Sequence, residues 1–204
     1  MTPTGKRILL TATAILAAGG LATYLGTTLA LHHTITLNTY GNEVGGAFRL
    51  MDATTGTMTD QTFHGRWMLV LFGATHCTQD ACEPALRAMS DALDKLDPSK
   101  RKAVIIFVSL DPDRDDAERL HQYAATLGPR IVAGTAAPQA LADLAKEYHA
   151  PVEKVSDPEW SYTMRMSPSF VVMNPDTRYK GMISANQSAD AMQKQLATLM
   201  NTTD

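Results

Sequence analysis

Three nearly uninterrupted apolar runs constrain the fold of this chain more than any other feature: Trp67-Met68-Leu69-Val70-Leu71-Phe72, Val104 to Leu110, and Phe170-Val171-Val172-Met173. A strand with one wet face alternates apolar and polar residues, whereas runs like these suit strands buried on both faces. Between and after them, apolar residues recur at helical spacing: Leu86, Met89, Leu93 and Leu96; Leu120, Tyr123 and Leu127; Leu141, Leu144, Ala145 and Tyr148; Met192, Leu196, Leu199 and Met200. The third run ends at the turn Asn174-Pro175-Asp176, across which Tyr179 to Ile183 pairs back as a hairpin. A second hairpin is expected between Phe48–Asp52 and Thr62-Phe63, around Thr54-Thr55-Gly56-Thr57. Strands alternating with helices, closed by a hairpin and a helix, predict an α/β domain: a mixed sheet flanked by helices on both sides.

The N-terminus has a different character. From Ile8 to Leu31 run 24 residues without a charge, enough at about 1.5 Å each to span a hydrocarbon core of about 30 Å as a transmembrane helix. Lys6 and Arg7 stand just before this stretch and the next Lys or Arg is Arg49, so the positive-inside bias keeps residues 1–7 cytoplasmic and sends the rest across. The expected organisation is residues 1–7 cytoplasmic, 8–31 a single-pass anchor, 32–44 a tether and 45–204 the folded domain. The alternative is a cleaved signal peptide, for which Gly20-Leu21-Ala22 supplies a small-x-small site.

Of the 18 basic residues, removing Lys6 and Arg7 leaves 16 against 21 acidic ones, a net of −5 for the remainder. That balance argues against nucleic-acid binding. No Gly-x-Gly-x-x-Gly, phosphate-loop or His-Glu-x-x-His motif occurs. The run Asp111, Asp113, Asp115, Asp116 lacks the glycine and distal glutamate of a calcium loop and reads as a capped helix start, with Arg114 paired to one of its carboxylates. His32, His33, His64, His121 and His149 show no ligand spacing, and Asn186-Gln187-Ser188 and Asn201-Thr202-Thr203 fit only the common glycosylation triplet.

The chain has two cysteines, Cys77 and Cys82. Both lie in Phe72-Gly73-Ala74-Thr75-His76-Cys77-Thr78-Gln79-Asp80-Ala81-Cys82-Glu83-Pro84, after the first apolar run and leading into the helix of Leu86. Two thiols at a helix N-terminus feel its positive dipole end, which favours the thiolate that binds soft metals or attacks disulfides. His76 is read as a supporting or surface group, not a ligand.

This segment resembles the Sco-type, SenC-like copper proteins. Phe72-Gly73-Ala74-Thr75-His76-Cys77 is similar to the family's Phe-Gly-x-Thr-x-Cys, Val108-Ser109-Leu110-Asp111-Pro112-Asp113-Arg114-Asp115 to its Val-Ser-x-Asp-Pro-x-Arg-Asp, and Gly46 to Asp52 to its opening strand. The resemblance runs from about Gly45 to the C-terminus. It implies a thioredoxin-like fold, membrane anchoring with the domain on the periplasmic side of an inner membrane, and copper delivery during cytochrome c oxidase assembly. Oxidase subunit II is the type of recipient implied.

Two departures from the family pattern bear on the ligands. Cys77 and Cys82 are separated by four residues where the family has three. In Tyr162-Thr163-Met164-Arg165-Met166-Ser167, matched to the family's Tyr-x-x-Asp-His-Ser, Arg165 replaces the aspartate and Met166 the histidine. The implied metal set is therefore Cys77, Cys82 and Met166, a soft combination suited to Cu(I). Met164 shares a face with Met166 if the segment is extended, which makes it an auxiliary candidate, and Arg165 adds positive charge that favours thiolate. Pro168, before a core strand, occupies the place of the cis-proline in thioredoxin-like oxidoreductases. It supports an alternative in which Cys77 and Cys82 exchange disulfides with a thiol redox partner. A third reading is a scaffold that kept the fold without a metal site.

Overall fold

The computed structural model describes residues 39–77, 81–166 and 169–202, all within one compact unit spanning Leu37–Asp204. The expected anchor, residues 8–31, lies outside the described residues. Among the described residues, no helix is long and apolar enough to cross a membrane.

Among the described residues the first paired elements are a short hairpin, β1 (Arg49–Leu50) against β2 (Met58–Thr59), followed by a 3-10 turn at Asp60–Phe63. Thr62 and Phe63 therefore belong to that turn and not to the second arm expected from the sequence. The central elements are β3 (Trp67–Gly73), α1 (Cys82–Leu96), β4 (Ala103–Ser109), α2 (Ala117–Leu127), β5 (Ile131–Gly134) and α3 (Pro138–Glu147). Then come the hairpin β6 (Val152–Asp157) and β7 (Ser161–Met166), strands β8 (Ser169–Met173) and β9 (Tyr179–Ser184), and α4 (Ala189–Asn201).

The main sheet has the order β5-β4-β3-β8-β9. β3 runs parallel to β4 and antiparallel to β8, with β5 parallel to β4 and β9 antiparallel to β8. The apolar runs explain the layering. Leu69, Leu71, Ile105 and Phe107 face a core shared with Leu86 and Leu93 of α1, Leu120 of α2 and Leu196 of α4. Met68, Val70, Phe72, Val104 and Ile106 face the opposite core, closed by Leu141 and Leu144 of α3 and by Phe48, Leu50 and Met58. Burying each such side chain contributes about 1.5–3 kcal/mol, which is why the unbroken runs occupy the sheet centre. Helix ends follow local chemistry: Asp116 caps α2 by accepting the Arg119 amide at 2.8 Å, and Pro138 opens α3, where a missing N–H is harmless.

β6 and β7 pair with each other in a separate two-stranded ribbon, and β7 adds an isolated parallel bridge from Met164 to Cys77. The chain thus places the β3–α1 turn, the β4–α2 turn and this ribbon together beyond the carboxyl ends of β3 and β4, the usual location of ligand sites in open α/β sheets.

Candidate functional site

Cys77 and Cys82 are joined by a disulfide with Cα atoms 6.1 Å apart. Cys77 follows β3, and Cys82 is the first residue of α1. The pair is buried, at 8% and 3% exposure, and Cys77 Sγ lies 3.0 Å from the Ala74 carbonyl oxygen. Because Cys82 is the first residue of this helix, its sulfur lies at the positive end of the helix dipole. Gly73 makes room for this arrangement: a Cβ there would stand 2.9 Å from Cys82 Sγ and 2.8 Å from Cζ of Phe107.

The cysteine loop is held from two sides. On one side Asp115, fully buried, accepts the Thr75 amide at 2.8 Å, the Thr75 hydroxyl at 2.5 Å and the Ser109 hydroxyl at 2.6 Å. On the other, β7 forms a parallel bridge between Met164 and Cys77, and the Thr163 hydroxyl donates to the His76 carbonyl at 2.9 Å. The His76 ring packs at 4.5 Å on Trp160, the exposed residue at the ribbon tip, and its Nδ1 is 3.1 Å from the Thr75 hydroxyl. These contacts fit the supporting role expected for His76.

Beneath the ribbon, Tyr162 donates its hydroxyl to Asp111 at 2.7 Å, and its ring carries the Arg114 guanidinium 3.7 Å and the Lys154 ammonium 3.5 Å from its centroid. Burial, the bond to Asp111 and that carboxylate's charge push the Tyr162 phenol above its ordinary range against the opposing effect of Arg114. The phenol is thus a stable donor at neutral pH.

Segment 161–166 is extended, the condition set for Met164 as an auxiliary candidate. Met164 is 8% exposed and backbone-paired with Cys77. Met166 ends the strand opposite Val152, and Pro168 lies outside the described residues. The Arg165 guanidinium pairs at 2.9 Å with Glu153 across the ribbon, both side chains more than 60% exposed. The aspartate run also does more than cap a helix. Asp116 alone caps α2, while Asp111 pairs with Arg114 and Asp115 secures the cysteine loop. Among the described residues, no group of three or more His, Cys, Asp or Glu side chains is placed to hold a metal ion. The two cysteine sulfurs brought together here belong to the soft donor class that suits monovalent copper.

A SCO1/SenC family profile matches residues 37–201. The chain belongs to the SCO1/SenC family. Curated relatives include SCO1 homolog 1 of Arabidopsis thaliana, a mitochondrial protein 26% identical over 150 residues, 73% of this chain and 45% of that one. The human mitochondrial SCO1 homolog is 27% identical over 162 residues, 77% of this chain and 53% of the relative. The match thus spans about half the length of these relatives. The thioredoxin-like α/β fold of Sco structures is reproduced: Arabidopsis thaliana ScoI with copper bound aligns with a TM-score of 0.71 at 25% identity, over 76% of this chain and 97% of its own. Bradyrhizobium japonicum ScoI with copper bound aligns at 0.67 and 25% identity, over 77% and 99%.

Proposed function

We propose that this chain is an extracytoplasmic copper-handling protein of respiratory oxidase assembly, anchored by residues 8–31 on the periplasmic side of an inner membrane. The observation that carries the reading is the meeting of Cys77 and Cys82 at the carboxyl end of β3, with a methionine-bearing strand beside them. Copper is the cargo. The disulfide must first take up two electrons and two protons from a reductant to give two thiols, and Cu(I) then displaces the thiol protons and is held by two thiolates and the Met166 thioether. A recipient cuproprotein such as oxidase subunit II takes the ion by ligand exchange. Return of the pair to a disulfide, its two electrons passing to a partner disulfide, removes both thiolate donors and completes release. A disulfide suits an oxidising compartment, which supports the proposed topology.

Competition of the reduced protein with a chromogenic Cu(I) chelator tests the proposal. One-to-one binding lost in Cys77→Ser, Cys82→Ser and weakened about tenfold, or about 1.4 kcal/mol, in Met166→Ala is expected. The disulfide also favours a second reading, thiol–disulfide exchange on exported proteins with Pro168 shaping the substrate groove; reductase turnover without Cu(I) affinity would select it. Neither activity would leave the scaffold reading.

A further inference from the structure

Arg114 and Asp115 are consecutive residues in the turn after β4, and they secure different parts of the site. Asp115 holds the cysteine loop through Thr75, two residues before Cys77. Arg114 holds the ribbon: its Nη1 donates to the Tyr162 carbonyl at 2.8 Å and more weakly to the Trp160 carbonyl at 3.4 Å. Its Nε pairs with Asp111, whose other oxygen accepts the Tyr162 hydroxyl. The guanidinium also lies over the Tyr162 ring. One side chain thus supplies two carbonyl contacts and a cation–π contact to a single stretch of β7 and its turn, while its charge-assisted pair is with Asp111 of its own turn, the residue that accepts the Tyr162 hydroxyl.

The ribbon needs such fastening. It is two-stranded, stands apart from the main sheet and has most of β6 exposed or half-exposed, and an isolated ribbon of that kind is marginal in water. Yet β7 forms the bridge to Cys77 and carries positions 164 and 166.

We infer that Arg114 is a positioning residue, a latch that sets how closely the β6–β7 ribbon stands to Cys77 and so whether the methionine strand reaches the cysteine pair. Its bearing on copper rests on the function proposed above. Its mechanical part does not.

The test uses the purified full-length chain, reduced with a phosphine, in three parallel measurements: hydrogen exchange of the β7 amides, iodoacetamide labelling of Cys77 mapped by mass spectrometry, and Cu(I) competition. Arg114→Gln removes the charge, and Arg114→Lys keeps it without the planar fork. Loss of about 1 kcal/mol of attachment predicts exchange and labelling faster by about fivefold in both variants. Cu(I) affinity is expected to fall by a similar factor. Arg165→Gln changes the ribbon charge equally without touching the latch and should leave labelling within about twofold of the parent. Tyr162→Phe removes only the hydroxyl bond to Asp111 and should move exchange and labelling in the same direction, which decides the matter if the Arg114 variants do not fold. Folded variants with parental exchange and labelling would overturn the latch. Faster exchange and labelling with unchanged Cu(I) affinity would overturn its role at the copper site. Failure of the parent to bind Cu(I) would defeat the proposed function alone, since exchange and labelling still judge the latch.

Discussion

The two ends of the parallel strands use the same chemistry to different effect. At the amino ends of β4 and β5, Arg130 is 1% exposed and donates to Asp97 at 3.0 Å, to the Asp97 carbonyl at 2.8 Å and to Asp94 at 2.7 Å. Asp97 also accepts the Ser99 hydroxyl and the amides of Arg101, Lys102 and Ala103. At the carboxyl ends, Arg114 is 19% exposed, and its partners belong to a ribbon outside the sheet. The first node ties helix, turn and strand into one buried body. The second joins the turn after β4 to a two-stranded ribbon outside the main sheet. Burial therefore distinguishes an arginine–aspartate pair that maintains the fold from one able to adjust a site.

The largest effects are expected at the buried node. Asp97→Ala leaves the Arg130 charge enclosed with only the half-exposed Asp94 as ionic partner and strips three backbone amides of their acceptor, so urea unfolding should register a loss of about 3–5 kcal/mol. Cysteine chemistry in the surviving folded fraction should be unaltered. If Asp97→Ala costs less than Arg114→Gln, the ranking by burial is wrong.

Gly73→Ala attacks the opposite end through packing rather than charge. The added methyl meets both the Phe107 ring and Cys82 Sγ below 3.0 Å, and overpacking of this kind costs about 1–3 kcal/mol, here toward the upper value because both neighbours are buried. A drop in melting temperature together with easier reduction of the disulfide is the expected pair of results. Lower stability with unchanged reduction would assign the whole cost to Phe107.

Acid titration returns to the first node. Burial pushes the Asp97 carboxyl up, but the bonds from Ser99, the Lys102 amide and Arg130 outweigh it and hold the group at about 2 in the folded protein against 3.8 for the unperturbed carboxyl. A depressed folded value means stability present above the unfolded pKa and lost as pH falls toward the folded one. Between about pH 4 and pH 2 the loss should reach about 2 kcal/mol. Urea unfolding at several points in this window measures it, and Asp97→Asn should flatten the slope.

Which parts were legible in the sequence follows from the same contrast. β3, β4 and β8 are enclosed on both faces, so their apolar runs announced them, and the faces of α1 to α4 showed in their spacing. β5 has four residues, too few to form a pattern. β6, Val-Glu-Lys-Val-Ser-Asp, lies half-exposed in a ribbon without a core of its own, so it left no apolar signature. The cysteines were visible as a pair because the chain has no others. The roles of Arg114 and Asp115 were not, because their partners lie 48 and 40 residues away in sequence. The aspartate run could be read only locally, as a helix cap, which describes Asp116 alone, and as a carboxylate partner for Arg114, which Asp111 is.

The smallest effect separates charge from position. Arg165 and Glu153 pair on the open face of the ribbon, where solvent screening and side-chain entropy leave such a bridge worth about 0.2–1 kcal/mol at most. Glu153→Gln should therefore change the melting temperature by no more than about 4 °C, and added salt should erase the difference. It also frees the Arg165 charge from its partner while leaving the latch intact. If charge on the ribbon governed the cysteines, this variant would favour the thiolate and shift the pH profile of Cys77 labelling downward. An unchanged profile, with the profile of Arg165→Gln unchanged as well, would show that the ribbon acts on the cysteine pair through where it stands and not through the charge it carries.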